Sequence, residues 1–295
     1  MAMIKTDNFT QNENIDLTKE ISLVAPIDTP LLTMLMEKGR YSKAISKTIN
    51  WREKTLDDTD ASAVEGADAS VFVNSTRAEK MNIQELFIKN VAISGSAVAS
   101  EVVGIADLMA EEVEDRLREL KVQMEKSLTN GVLADGSKTP FKRKMKGLVN
   151  FVPAKNKVTG GQLTEQLFKD TVKKLWENGL GSNEFYALVN ADLKEQIDTF
   201  YEGKYNYVAQ TNEFGLVVTK IHTNYGTVNL ILDRHMNADE LVIFDAEFLE
   251  VSFLREPQFE ALGKTGDSEK GMVVSEVSLK VLNEQAVSLF TVKGE

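Results

Sequence analysis

One stretch, residues 100–131, restricts the possible fold of this chain more than any other. Its apolar residues recur in steps of three or four, which places them on one face of a helix: Val102, Ile105, Met109, Val113, Leu117, Leu120, Met124 and Leu128. We expect Ser100 to cap the helix and Gly131 to end it in the left-handed conformation. At about 1.5 Å per residue the helix is roughly 45 Å long, so it would act as a strut.

The opposite face of this helix is densely charged. Glu112 with Arg116, and Glu114 with Arg118, have the acid-first spacing of four residues that adds a few tenths of a kcal/mol per pair. A solvated face over a sheet is the simpler interpretation, and periodicity alone favours it. The alternative is a spine whose charged face contacts neighbouring copies of the chain.

Composition sets further limits. A chain of 295 residues, 42% hydrophobic, can bury a large core and divide into two lobes. It has no apolar run of membrane-spanning length and its first residues lack a signal core, so we expect neither a membrane span nor an export signal. Without cysteine it has no disulfides and no thiolate ligands, which suits a reducing cytosol.

The formal charge of −11 argues against a dedicated nucleic-acid-binding surface, because such surfaces cluster Lys and Arg. One basic run, Lys138 to Lys146, stands out. In an acidic chain it is more typical of a solvated loop than of a phosphate site.

The sequence pattern of the N-terminal third predicts an N-terminal arm, an anchor helix and a long β-hairpin. Residues 1–17 are polar and aperiodic, and Pro30 opens a short apolar helix that Gly39 closes. Period-two alternation then predicts a strand near Trp51 and a return strand through residues 83–93, with an acidic tip at residues 56–68. A lone hairpin is marginally stable, so we expect it to lie on another subunit.

The rest of the chain predicts two more helices among several strands. Thr164 should cap one helix, which ends at Asn178-Gly179, and Asn190 should cap the other. Strands are predicted at residues 185–189, 216–221, 228–232 and 241–244. In the last segment Val277, Leu279 and Val281 should point inward, and Glu276, Ser278 and Lys280 outward. The predicted class is α+β, with at least two cores.

Every catalytic or metal motif in the sequence lacks a member. Gly263-Lys264-Thr265 imitates the end of a phosphate-binding loop, but Gln258 stands where the loop needs glycine. A calcium loop starting at Asp58 fails because Ala63 replaces the required glycine. Neither of the two histidines has metal-site spacing. We therefore expect no catalytic, cofactor or metal site, and no enzyme.

Several segments together resemble a known family. They are APIDTPLLTML (25–35), VEGAD (64–68), NIQELFIKNVAISGSA (82–97), WENG (176–179), ALVN (187–190), YGTV (225–228), FD (244–245), LR (254–255), LGKTGDSEK (262–270) and SEVSLKVLNEQA (275–286). In this order they are similar to the "SU ten" family of tailed-phage major capsid proteins. The resemblance covers about residues 18–290.

The resemblance implies the Hong Kong ninety-seven phage capsid fold. Its parts would be an N-terminal arm and anchor helix (1–40), an extended β-hairpin loop (41–95), a peripheral domain (96–162) with a spine helix (100–131), an axial domain (163–245) and a return to the peripheral domain (246–295). Unlike some relatives of this fold, the chain has no long N-terminal coiled-coil extension, so assembly would need a separate scaffold or the capsid protein alone.

The function implied is a major capsid protein whose pentamers and hexamers form an icosahedral shell around double-stranded DNA, held weakly and non-specifically. The shell would assemble in the bacterial host cytoplasm and reside in the virion, and scaffold, portal and decoration partners stay open. An encapsulin-like compartment and a cytosolic enzyme are the alternatives. We expect no cofactor, and expect contacts between subunits at Trp51, Asp57, Asp58, Asp60, Glu65, Asp68, Glu112, Arg116 and Arg118.

Overall fold

The structure, a computed structural model, describes residues 29–55, 60, 62, 64–66, 75–100, 107–179, 184–202, 219–264 and 266–293. The chain divides into two compact units. The smaller unit comprises residues 1–27, 88–120 and 257–274, and the larger unit comprises residues 28–87, 121–256 and 275–295.

Helices and strands are interleaved along the described chain. The helices are α1 (Pro30–Glu37), α2 (Gly95–Ala99), α3 (Leu108–Asn130), α4 (Leu148–Phe151), α5 (Glu165–Glu177) and α6 (Ala191–Glu202). None of the helices in the described ranges is long and apolar enough to cross a membrane.

The strands are β1 (Tyr41–Lys43), β2 (Thr48–Thr55), β3 (Thr76–Ile83), β4 (Glu85–Ser94), β5 (Ala134–Asp135), β6 (Arg143–Lys144), β7 (Lys157–Gly160), β8 (Glu184–Val189), β9 (Lys220–Thr223), β10 (Gly226–Leu232), β11 (Glu240–Phe244), β12 (Leu249–Leu262), β13 (Ser268–Val281) and β14 (Val287–Val292). They form sheets of order β1-β12-β13-β4 and β7-β14-β11-β8-β10-β9, and the two-stranded ribbons β2-β3 and β5-β6.

The six-stranded sheet of the larger unit is mixed. Strand β8 pairs in parallel with β10 and antiparallel with β11, so it lies between both. Helices α5 and α6 pack on this sheet through one apolar cluster whose members include Phe168, Val172, Leu175, Phe185, Leu193, Ile197 and Phe290. Burying each large side chain contributes about 1.5–3 kcal/mol, so this cluster contributes substantially to the stability of the unit.

The predictions for this sheet and its helices are confirmed. The Thr164 hydroxyl accepts the Leu167 N–H at 3.3 Å, and α5 ends at Asn178 with Gly179 at φ 77°. Asn190 precedes α6, and its backbone carbonyl accepts the Lys194 N–H at 3.0 Å. Its side-chain oxygen accepts the N–H of Ala191, the first residue of the helix, and its side-chain amide donates to the Met236 carbonyl. The predicted strand at residues 216–221 is described only from residue 219, where β9 follows.

The prediction that Ser100 caps the long helix is wrong. Residues Gly95–Ala99 form their own short helix, and the Ser100 hydroxyl bonds back to the Ser96 and Ala97 carbonyls. The carboxylate of Asp107 instead accepts the N–H groups of Met109 and Ala110, at 3.0 and 3.1 Å. Residues 101–106, which carry Val102 and Ile105, lie outside the described residues.

Gly131 ends α3, but the expected left-handed conformation is also wrong, because its φ is not positive. A Cβ at this position would lie 2.4 Å from the Ser127 carbonyl oxygen and 2.6 Å from that of Met145. Glycine is therefore required by close backbone approach.

The predicted hairpin of residues 41–95 is split between sheets. Strand β1 pairs with β12, the ribbon proper is β2-β3 from Thr48↔Ile83 to Thr55↔Thr76, and β4 joins the four-stranded sheet. In β4 the inward residues are Val91 and Ile93, whereas Leu86 and Ile88 are exposed. The prediction that residues 83–93 return beside the Trp51 strand is therefore wrong, because β3 at residues 76–83 is the partner of β2. Alternation could not specify this pairing, since it depends on distant residues.

Strand β13 corrects one further expectation. Val277, Leu279 and Val281 are buried as predicted, but Glu276 and Ser278 are buried too. Arg143 and Arg255 bond to the Glu276 carboxylate at 3.1 and 2.9 Å, which compensates its desolvation. A strand covered on both faces does not show simple alternation.

Candidate functional site

The ribbon β2-β3, the centre of the predicted neighbour contact, begins at a fixed base in the larger unit. The buried Asn82 amide donates to the carbonyls of Lys146 (3.0 Å) and Leu279 (2.7 Å), and its oxygen accepts the N–H groups of Ile83 and Lys146. Four bonds to one buried amide satisfy it fully, so the base of the ribbon is held in one register.

An ionic cluster fixes the ribbon one step further out. The Lys80 ammonium group bonds to Glu284 at 2.5 Å and approaches Glu53 within 3.7 Å, while Glu53 accepts the Glu284 N–H at 2.8 Å. The hydrogen bond to Glu284 raises the pKa of Lys80, which therefore stays charged.

Trp51 lies inside this fixed region. Only 8% of its surface is exposed, and its ring centroid is 6.1 Å from that of Phe151. The indole is thus part of the chain's own core, a placement that the strand pattern did not reveal. Its contact with a neighbouring subunit stays a prediction.

The outer half of the ribbon is exposed on its own chain. Arg52, Lys54 and the strand opposite, residues 76–79, are all exposed. Asp60 and Glu65 are exposed as well. The hydroxyl and the N–H of Ser62 donate hydrogen bonds to the Asp60 carboxylate and lower the pKa of Asp60. Asp57, Asp58 and Asp68 lie outside the described residues.

The predicted ion pairs on the spine helix α3 are present. Glu112 contacts Arg116 at 3.0 Å, Glu114 contacts Arg118, and Arg116 also bonds to Glu119. Bonds to both glutamates raise the pKa of Arg116. All these side chains remain partly exposed, so the face is charged but locally neutralised, and its contact with a neighbour stays a prediction.

The C-terminal half of α3 binds the anchor helix α1 through hydrogen bonds that the sequence did not suggest. The fully buried carboxylate of Glu125 accepts the N–H groups of Leu31 and Leu32, at 2.7 and 2.9 Å. These donors lie in the first turn of α1, where Thr29 makes no side-chain cap. The available signal was a glutamate three residues before Leu128, on the buried face of the helix.

A second buried acid was also missed. Glu85 on β4 is 8% exposed, and its carboxylate accepts the Met145 N–H at 3.1 Å. Burial raises the pKa of this carboxyl, against the opposing effect of the Met145 bond.

The basic run lies on the ribbon β5-β6 and its flanks. Phe141 at the tip is 68% exposed, and Lys138, Lys142 and Lys144 are exposed around it. Arg143 forms an ion pair with Glu276, and the Lys146 Nζ lies 4.4 Å from the centroid of the Phe151 ring. Residues 138–144 therefore expose one aromatic ring and three lysines.

Across the described ranges, no three His, Asp or Glu side chains cluster as metal ligands. Gly263 and Lys264 lie between strands β12 and β13, so no helix follows them as in a phosphate-binding loop. A cleft of about 670 Å³ beside α5 and α6 is lined by Gln162, Leu163, Thr164, Glu165, Asp192, Glu195, Gln196, Thr199 and Phe200, without a nucleophile and base in bonding geometry.

Comparison with known proteins agrees with the resemblance seen in the sequence. The family model described as SU10 major capsid protein matches residues 4–293. No curated protein sequence matches the chain.

Solved capsid structures share its fold. The cyanophage A-1(L) capsid protein has a TM-score of 0.72 at 10% identity, covering 97% of this chain and 98% of its own. The capsid of Myoviridae phage XM1 has a TM-score of 0.66 at 10% identity, covering 97% and 99%. The SrpI encapsulin of Synechococcus elongatus has a TM-score of 0.66 at 12% identity, covering 99% and 96%. These likenesses confirm the Hong Kong ninety-seven capsid fold.

Proposed function

This chain belongs to the SU10 major capsid protein family, and we propose that its copies assemble into the pentamers and hexamers of an icosahedral shell. It is a structural component of a tailed-phage capsid. The observation that carries the proposal is the family match over residues 4–293 together with capsid folds covering nearly the whole chain.

We assign the parts of the capsid subunit as follows: arm and anchor helix at residues 1–40, extended loop at 41–95, peripheral domain at 96–162 and 246–295, axial domain at 163–245. Four strands of the six-stranded sheet, β8 to β11, fall within the axial range together with α5 and α6, and their shared apolar core supports the axial assignment. The other two strands, β7 and β14, come from the ranges assigned to the peripheral domain. The bonds from Glu125 to α1 support the anchor role.

Contacts between subunits are assigned to the loop tip and the spine face. Asp60 and Glu65 at the tip are exposed, and the outer half of the ribbon has no cover from the described part of its own chain. A two-stranded ribbon is marginally stable alone, which favours support by a neighbour. Glu112, Arg116 and Arg118 are accessible for charged contacts along the spine.

The contents of the shell are proposed to be double-stranded DNA. A chain of formal charge −11 binds phosphate weakly, which would let DNA move during filling and ejection. A strongly positive inner surface in the assembled shell would contradict this.

The encapsulin alternative rests on the shared fold of the SrpI encapsulin. It predicts purified particles that hold a cargo protein and no DNA, whereas the phage proposal predicts the reverse. Nuclease-treated particles analysed for nucleic acid and for co-purified protein separate the two.

The proposed partners are other copies of the chain, with scaffold, portal and decoration proteins as candidates, and assembly is placed in the host cytoplasm. No catalytic step is assigned, since no catalytic constellation was found among the described side chains.

The test of the assembly role is deletion of residues 57–68. We expect a folded protein that forms no stable shells, measured by circular dichroism, light scattering and negative-stain microscopy. A variant in which residues 57–68 become Gly and Ser at constant length controls for loop length. Normal shells from the deletion variant would refute the role of the tip.

A further inference from the structure

Charge along this chain is segregated into two complementary blocks. Residues 136–164 contain no Asp or Glu but include the cations Lys138, Lys142, Arg143, Lys144, Lys146, Lys155 and Lys157. Residues 55–76 contain no Lys or Arg but include the acids Asp57, Asp58, Asp60, Glu65 and Asp68. The first block is conspicuous because the chain as a whole is acidic.

The structure shows which part of the basic block is available. Arg143 and Lys146 are engaged within the chain, whereas Lys142 and Lys144 form no ion pair within the described ranges. The charge of Lys144 nevertheless acts on the buried Glu85 carboxyl, and that of Lys138 acts on Asp135. All three lysines are exposed and lie within three residues of the exposed Phe141 in the sequence, so we call residues 138–144 the basic tip.

We propose that the basic tip, residues 138–144, is the docking surface for the acidic segment 55–76 of a second copy of this chain. The inference rests on the proposed assembly function and identifies the surface that receives the loop. Charge complementarity carries it, and because a single exposed ion pair is weak in water, several pairs act together.

The apolar content of the two segments matches as well. The acidic segment exposes Val64 (82%) and includes the apolar run Val71-Phe72-Val73 in its sequence, while the basic tip exposes Phe141. Protein interfaces combine an apolar centre with a charged rim, whereas phosphate binding needs no exposed phenylalanine beside the lysines. The combination favours a protein partner over DNA.

A second copy is the partner because every copy carries both the acidic segment and the basic tip, and the lysines of the tip are exposed on the described part of their own chain. The ribbon's outer residues, including Arg52, Lys54 and Arg77, are exposed, and so are the lysines of the basic tip. Both surfaces recur in every copy, so one contact type can repeat around a ring of subunits.

Zero-length carbodiimide crosslinking of assembled wild-type particles tests the contact directly. It joins a carboxylate to a lysine in contact, and covalent dimers separate from monomers on a denaturing gel. We expect peptides from the dimer band to link the acids of residues 57–68 to Lys138, Lys142 or Lys144. Such links in the monomer band alone, or dimer links only to other lysines, would overturn the inference.

A charge swap tests its energetic weight. The triple variant Lys138→Glu, Lys142→Glu, Lys144→Glu should lower shell yield by at least about tenfold, because like charges then face each other. Adding Asp57→Lys, Asp58→Lys and Asp60→Lys should restore it. The matched control Lys169→Glu, Lys173→Glu, Lys174→Glu makes the same charge change on α5 and should assemble normally.

The outcomes separate this inference from the assembly proposal. Wild-type protein that never oligomerises overturns both. Assembly of the basic-tip variant at the wild-type yield overturns only the docking surface, and a loss of packaged DNA without a loss of shells would reassign the tip to DNA.

Discussion

Replacement of Glu125 by alanine should destabilise the anchor helix strongly. The carboxylate is fully buried and accepts the N–H groups of Leu31 and Leu32, at 2.7 and 2.9 Å. An orphaned buried donor costs about 1–3 kcal/mol, so two cost roughly 2–6 kcal/mol. Removing a buried charge recovers part of this, and we expect a net loss of about 2–4 kcal/mol.

Urea unfolding of the unassembled protein measures this loss, and hydrogen exchange at the Leu31 and Leu32 amides locates it. The control is Glu114→Ala, which removes the same side chain from an exposed position on the same helix. It should cost less than about 0.5 kcal/mol. If both variants lose the same stability and the two amides stay protected, the capping role of Glu125 is wrong.

Three further predictions concern the ribbon base and β4. Because burial raises the pKa of Glu85, the folded state disfavours its ionised form. Glu85→Gln can still accept the Met145 N–H, so it should stabilise the protein at pH values above that raised pKa. In a pH series of melting temperatures, the gain of the variant over the wild type should vanish as the pH falls below the raised pKa. Trp51→Ala should cost about 3–5 kcal/mol in urea unfolding, against under ~1 for the exposed Trp176→Ala, and equal losses would remove Trp51 from the core. Asn82→Ala should cost about 2–4 kcal/mol by the same assay, since four bonded backbone groups lose their partner, and an unchanged midpoint would contradict this.

Features encoded in short stretches were predictable from the sequence. The cap of α5 at Thr164 and its end at Gly179 follow from side-chain chemistry within a few residues of each terminus. The acid-first ion pairs of α3 follow from helix geometry alone.

Features that depend on distant residues could not be predicted from the sequence. Glu125 and Asn82 owe their roles to partners far along the chain, and nothing in their neighbourhood specifies those partners. The start of α3 was misplaced because Ser100 and Asp107 are both acceptable caps, and tertiary context selected Asp107. The sequence pattern placed Trp51 on an exposed hairpin and did not reveal its packing against Phe151, which is distant in the sequence.

Self-assembly is tested most directly by negative-stain electron microscopy with light scattering on the wild-type protein expressed alone. Closed shells, tubes or capsomer rings are the predicted result. A monodisperse monomer of 32.8 kDa at every protein concentration and ionic strength, and also with a crowding agent, would contradict it.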